Sequence, residues 1–187
     1  MNKVYQFTLV LEGVDDTTPN LEDALFEAGC DDALINYKNG TVYLDFDREN
    51  EDLEQAIISA IKDVESTNLR IKIVSVAPEH LVNLSDIAER VSMSRQAVSL
   101  FVLGERGSND FPKPILKISN KSPLWRWSTV AEWFYRQQKI KDHDVVAFAK
   151  IIEDINAVLD SRNYEVSLHR KEILKELESP HFDRNSH

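Results

Sequence analysis

Cysteine is almost missing from this chain: Cys30 is the single one in 187 residues. One cysteine excludes an internal disulfide and a cysteine metal cluster. No apolar run approaches the ~20 residues that a membrane-crossing helix needs. The N-terminal MNKVYQFTLVLEG is too short in its apolar part, and turns acidic too soon, for a signal peptide. A cytoplasmic protein without membrane contact is the expectation. Walker and Rossmann glycine loops are absent as well. The five histidines, His80, His143, His169, His181 and His187, show no HExxH or comparable ligand spacing. Cys30 follows Gly29 at a predicted helix end with no histidine near it in sequence, which reads as a small packed residue rather than a nucleophile. The sequence therefore reads as non-enzymatic, with no cofactor and no metal.

Positive charge is also scarce, and it is confined. The formal net charge is −10. Residues 1–70 hold 5 Lys+Arg against 16 Asp+Glu, residues 71–140 hold 10 against 6, and residues 141–187 hold 7 against 10. Charges are screened over about 8 Å at physiological salt, so a basic central surface can meet phosphate although the whole chain is acidic.

What is present falls into three segments and a tail. Residues 1–77 alternate strand and helix patterns. VYQFTLVLEG is β-rich, with Val4, Phe7, Leu9 and Leu11. A short helix is predicted from Pro19 to Ala28, with Pro19 suited to its first turn and Gly29 to its C-terminal cap. Strands Ala33–Tyr37 and Thr41–Phe46 flank Asn39-Gly40, a hairpin-turn signal. Leu53, Ile57, Ile61 and Val64 recur at helical spacing within 51–64, and Arg70–Ala77 alternates as a last strand. The order β-α-β-β-α-β is that of a ferredoxin-like domain, an architecture with many functions. An interaction or dimerisation module, binding a protein or a small regulatory ligand, is the reading for it. Asp15-Asp16, Asp31-Asp32 and Glu49, Glu51 and Asp52 fall in predicted loops and helix starts, where acidic residues are electrostatically favoured.

After a junction at Pro78-Glu79-His80 comes LSDIAERVSMSRQAVSLFVL, Leu84 to Leu103. Ile87 and Ala88 lie inside a first helix, Ser92-Met93-Ser94 makes a turn, and Arg95-Gln96-Ala97-Val98 opens a second helix. A glycine-bearing loop, 104–110, leads to Phe111-Pro112-Lys113-Pro114. Two short strands, Ile115–Ile118 and Leu124–Trp127, are predicted around the turn 119–122, and Ser128 is placed to cap a helix over 130–135. Helix-turn-helix, loop, FPxP, hairpin and WxWSxxxxW together resemble the winged-helix domains of MerR-like, AlpA-type and phage-excisionase regulators, over about 81–137. Ser92 stands where those domains often have glycine, and Ala97 where threonine is common. The resemblance implies a recognition helix in the DNA major groove and a basic wing.

Ser94 is the expected N-cap of that helix. Arg95 and Gln96 follow it, as residue types able to make bidentate contacts to guanine and adenine, and Ser99 lies on the same face. Ala97, Val98, Phe101 and Val102 are assigned to packing. Arg106, Lys113, Lys117, Lys121 and Arg126, opposed only by Asp110, read as a phosphate-facing patch, with Lys121 nearest the wing tip. Trp127 and Trp133 are expected in the core, and Trp125 partly exposed.

Residues 141–178 form a helical segment. Val145, Phe148, Ile152, Ile155 and Leu159 recur with spacings of 3 and 4, a heptad-like seam. Arg162-Asn163 interrupts it, and Val166 to Leu177 resumes a helical pattern. Packing on the same chain and pairing in a homodimer are both compatible with this seam, and a homodimer is favoured because paired half-sites raise affinity and specificity. The polar tail 179–187 is expected to be disordered. The expected fold class is α+β: a ferredoxin-like unit, a winged helix-turn-helix and a helical segment. The expected activity is sequence-specific double-stranded DNA binding by a transcriptional regulator, a repressor or an antitoxin-type autorepressor. An excisionase-like architectural factor and a protein-interaction adaptor are the alternatives.

Overall fold

The computed structural model describes residues 2–118, 122–162 and 167–179. Lys121, the helix interruption at Asn163, Val166 and the tail 180–187 lie outside them. The fold is mixed α+β, built around two hydrophobic cores.

The first core lies under a four-stranded antiparallel sheet made of β1 (Lys3–Glu12), β2 (Ala33–Lys38), β3 (Thr41–Asn50) and β4 (Lys72–Ala77), in the order β2-β3-β1-β4. Successive strand residues point to opposite faces, so Tyr5, Phe7, Leu9 and Leu11 are buried while Val4 is exposed. Leu9 pairs with Leu44, and Phe7 with Phe46, whose rings stack at 5.3 Å. Asn39 and Gly40 both take positive φ, 54° and 77°, as the two-residue hairpin turn requires. Helices α1 (Leu21–Glu27) and α2 (Leu53–Glu65) cover the inner face with Leu21, Leu25, Ile57 and Val64. Asp52 caps α2 by accepting the Gln55 N–H at 2.8 Å.

Two boundaries differ from expectation. Pro19 lies before α1, whose N-cap is Asn20, while Gly29, at φ 91°, does end it: the N–H groups of Gly29 and Cys30 bond to the carbonyls of Phe26 and Leu25. Strand β3 runs four residues past Phe46, because Arg48 occupies the next inward position. Its guanidinium makes a two-bond fork with Asp32 at 2.7 and 2.8 Å, reaches Asp63 at 2.6 Å and the Gly29 carbonyl at 3.1 Å, and lies over Phe46. These partners satisfy a charge that would otherwise be costly to bury.

The second core follows a cis Ala77–Pro78 bond. Here β5 (Leu81–Val82) pairs with β6 (Trp125–Arg126), and α3 (Leu84–Arg90), α4 (Arg95–Val102) and α5 (Trp127–Arg136) enclose Ile87, Val98, Phe101, Trp133 and Phe134. The hairpin expected at Ile115–Ile118 and Leu124–Trp127 is reduced, among the described residues, to one bridge between Leu116 and Leu124. Pro112, Pro114 and Pro123 remove ladder donors there, and the second strand spends its pairing on β5. Helix α5 begins at Trp127 with Arg126 as its N-cap, so Ser128 is inside the helix and does not cap it. Trp125 is 1 % exposed, a correction to its expected partial exposure. The two-residue strand turns at once into α5, so Trp125 and Trp127 both reach the core, and the Trp125 indole donates to the Pro112 carbonyl at 2.9 Å.

Helix α6 (His143–Arg162) joins the two cores, and α7 (Ser167–Glu178) follows it. Val146 and Ala149 enter the second core, Ile152 and Leu159 the first, and Phe148 and Ile155 pack against the first. The heptad-like seam is thus occupied within its own chain. Asn156, buried on the same helix, accepts the Val76 N–H at 2.8 Å and donates to the Val76 carbonyl at 2.9 Å. Strand β4 is an edge of the sheet, and this one side chain satisfies both backbone groups of Val76 there.

Candidate nucleic-acid interface

Helix α3 is fixed by a reciprocal cap: Asn83 accepts the Ser85 and Asp86 N–H groups, and the Asp86 carboxylate accepts the Asn83 N–H at 2.8 Å. The sequence reading missed this box because it began at Leu84. The helix ends at Ser92, whose φ of 52° is left-handed. The Ser92 and Met93 N–H groups return to the carbonyls of Glu89 and Ala88, the closure that glycine makes most easily. Serine is tolerated at that position at a modest backbone cost.

Ser94 then caps α4. Its hydroxyl accepts the Ala97 N–H at 3.1 Å. The cap sets the phase of the helix: Val98 and Phe101 point into the core, Arg95 and Gln96 are exposed, and Ser99 is half-buried beside them. Leu103, 66 % exposed, extends this outer face, an apolar end that the sequence reading had not singled out. At the start of α4, Arg95 borders a cleft of about 160 Å³ shared with Asn83, Leu84, Ser85, Ser122 and Pro123. The starts of both helices and the residues after the 119–121 segment therefore converge on one arginine.

The remaining basic residues are not a single cluster. Arg106 lies over the Phe101 ring at 5.1 Å, at the other end of α4 from Arg95. The loop that carries it is shaped by Gly104, φ 74°, where a Cβ would stand 1.9 Å from the Asn109 side chain. Lys113, before the Leu116 bridge, and Lys117, directly after it, are both exposed. Lys121 lies outside the described residues. Arg126 is ion-paired with Glu153 of α6, so its charge is already matched within the chain. Arg90, which sequence reasoning passed over, stacks on Trp127 at 5.1 Å and meets Glu79 at 3.5 Å. Its burial behind α3 gave no signal in the periodicity.

Glu153 ties the interface to α6. Burial pushes its carboxyl upward, but the Ser128 hydroxyl and Arg126 guanidinium both donate to it and hold it below the usual carboxylate range. A lowered carboxyl contributes stability that is complete above its unfolded value, about 4.3, and is lost as pH falls through the folded one. Glu153→Gln should therefore cost on the order of 1 kcal/mol at neutral pH. Urea titrations taken downward from pH 7 should show the gap to wild type narrowing only below about pH 4.3; a gap that acid does not narrow contradicts the assignment.

Cys30 is buried, and burial pushes its thiol up to about 11, so it is protonated at neutral pH. No helix among the described residues is long and apolar enough to cross a membrane. Compared with family models, curated proteins and solved structures, the chain matches none.

Proposed function

We propose that the chain is a sequence-specific double-stranded DNA-binding regulator, with residues 81–137 acting as a winged helix-turn-helix and residues 1–77 as a ferredoxin-like partner module. One observation carries this reading: the Ser94 cap turns Arg95 and Gln96 outward at the start of α4 while Val98 and Phe101 anchor the opposite face. Side chains at the start of an exposed helix can reach base edges when that end enters the major groove. Arg95 and Gln96 read bases, Ser99 sits behind them, and Ser94, Lys113 and Lys117 face phosphate. Arg126 is withdrawn from the contact set by Glu153, and Arg106 braces the far end of α4. The strand order β2-β3-β1-β4 with antiparallel neighbours supports the ferredoxin-like reading.

A repressor that controls its own promoter fits the plan. The outer sheet face favours a basic protein partner for the first unit, since Asp45 and Asp47 stand there with Gln6, Thr8 and Asn36. Selection of bound sites from random DNA, at several salt concentrations, tests the reading. One recovered motif is the expected result, and Arg95→Ala should lose about 1–3 kcal/mol of discrimination, roughly 5- to 150-fold, at one base position. Clustered direct sites that bend on binding would favour the architectural alternative. No binding by the folded protein at low salt would favour the adaptor.

A further inference from the structure

Ile115, Leu116 and Ile118 stand together in solvent, Leu116 at 48 % and Ile118 at 70 % exposure. Scattered exposed apolar residues are ordinary, but a contiguous patch of them marks a contact site. This patch lies among cations: Lys113 precedes it and Lys117 stands inside it, both exposed. No carboxylate occurs from Phe111 to Ala131. The preceding Asp110 already accepts the Trp133 indole N–H at 2.7 Å and the Ser108 hydroxyl. Lys117 takes φ 52°, a left-handed conformation that lysine rarely adopts and that does not continue a strand. The chain therefore turns just before Ile118.

Position decides what meets the patch. Leu116 bridges Leu124, and the Ile115 N–H bonds the Leu124 carbonyl at 2.8 Å. Ile118 and Ser122 each lie two residues beyond this antiparallel bridge, on the same side of it, within about 7 Å of it along the chain. Ser122 lines the cleft that Arg95 borders at the start of α4. The most exposed apolar residue of the segment thus stands near the outward-facing helix start.

We infer that Ile118 is an apolar wedge that enters the minor groove beside the α4 contact, opens a base step and kinks the duplex. Such a wedge presupposes the DNA-binding reading above. Lysines without carboxylates among them fit a polyanion. An apolar side chain gains nothing from phosphate, but isoleucine is a residue type that inserts between base steps and unstacks them. Lys113 and Lys117 hold the adjacent phosphates. Pro112 and Pro114 on one limb and Pro123 on the other fix φ, which stiffens the support that a wedge needs. Opening is cheapest at TA and CA steps, so bound sites should carry one at a fixed offset from the position that Arg95 reads. A single kinked motif suits a regulator; clustered direct sites are what mark an architectural factor.

The test uses the full chain and a duplex carrying the motif recovered from random DNA. The duplex is dye-labelled at both ends, with 2-aminopurine at the adenine of the TA or CA step. Binding should raise energy transfer between the ends, for a bend of roughly 20–90°, and raise 2-aminopurine fluorescence as the step unstacks. Ile118→Ala should bind with an unchanged salt slope but lose both signals and the preference for the flexible step. Ile118→Met, another wedging residue type, should restore them. Lys117→Ala should keep the kink and lower the salt slope by about 0.9. A motif without a TA or CA step, a duplex that stays straight, or a kink that Ile118→Ala retains overturns the wedge and leaves DNA binding standing. No DNA binding by the folded chain at low salt overturns both. Capture by phosphatidylcholine–phosphatidylserine vesicles in place of DNA does the same, and assigns the patch to a lipid surface.

Discussion

Replacing Asn156 with leucine should lower the unfolding free energy by about 3 kcal/mol, and the melting temperature by roughly 6–12 °C for a chain of this size. The size of the effect comes from the strand rather than from the asparagine. Val76 presents its N–H and carbonyl outward from the sheet edge, and the Asn156 amide engages both in a buried site. Leucine fills the same space and engages neither. Each buried backbone group left without a partner costs about 1–3 kcal/mol, and water cannot reach this one without opening α6 from β4. Because α6 also carries Val146 and Ala149 into the second core, the loss should spread. All three tryptophans, Trp125, Trp127 and Trp133, are in that second core. Urea unfolding followed by tryptophan fluorescence should therefore shift together with unfolding followed by far-ultraviolet circular dichroism. A shift in dichroism alone would show that the cores unfold separately, and a loss under about 1 kcal/mol would show that the two bonds are replaced by solvent.

The second large effect is expected at Arg48. Arg48→Met should cost about 3 kcal/mol, the lower end of what removing one partner of a buried ion pair costs. The lower end applies because Asp32 and Asp63 are partly exposed and can take up water. The Asp32 hydrogen bonds, against the opposing effect of burial, hold the guanidinium still more firmly protonated than free arginine. It therefore stays charged at every pH at which the protein folds. One planar group reaches the end of α1 through Gly29, the following loop through Asp32 and α2 through Asp63. Arg48→Lys, a point charge without the fork, should recover only part of the loss. Equal stability of the lysine variant and wild type would mean that charge alone matters there. A fully stable methionine variant would mean that the carboxylates impose no cost once the arginine is gone.

Much of the first unit was legible because its signals are local. Alternation in VYQFTLVLEG, the Asn39-Gly40 turn and the 3–4 spacing of Leu53, Ile57, Ile61 and Val64 each act within a few residues, and strand and helix periods differ enough to separate them. Strand β3 was read too short because the inward position after Phe46 holds an arginine, and hydrophobic pattern is blind to an arginine whose partners lie 15 and 16 residues away. Helix α4 was legible for the same local reason: Ser94 is its cap, and the cap sets which side chains face outward. The hairpin was over-read because a strand's partner is a non-local choice, and residues 125–126 chose β5.

By itself, then, the sequence determined the element types of the first unit, the turn at Asn39-Gly40, the outward phase of Arg95 and Gln96 and the confinement of positive charge to the central segment. All of these depend on neighbours within a turn or a hairpin. Only the tertiary structure decided that Arg126 is neutralised by Glu153, that the α6 seam serves two cores of its own chain, that Asn156 pairs with Val76 at a sheet edge, and that Leu116 and Ile118 are left in solvent. Those outcomes join residues from 27 to 80 positions apart, or leave them apart. Polar side chains that find partners over such distances carry no periodicity, so their pairing is visible only once the chain has folded.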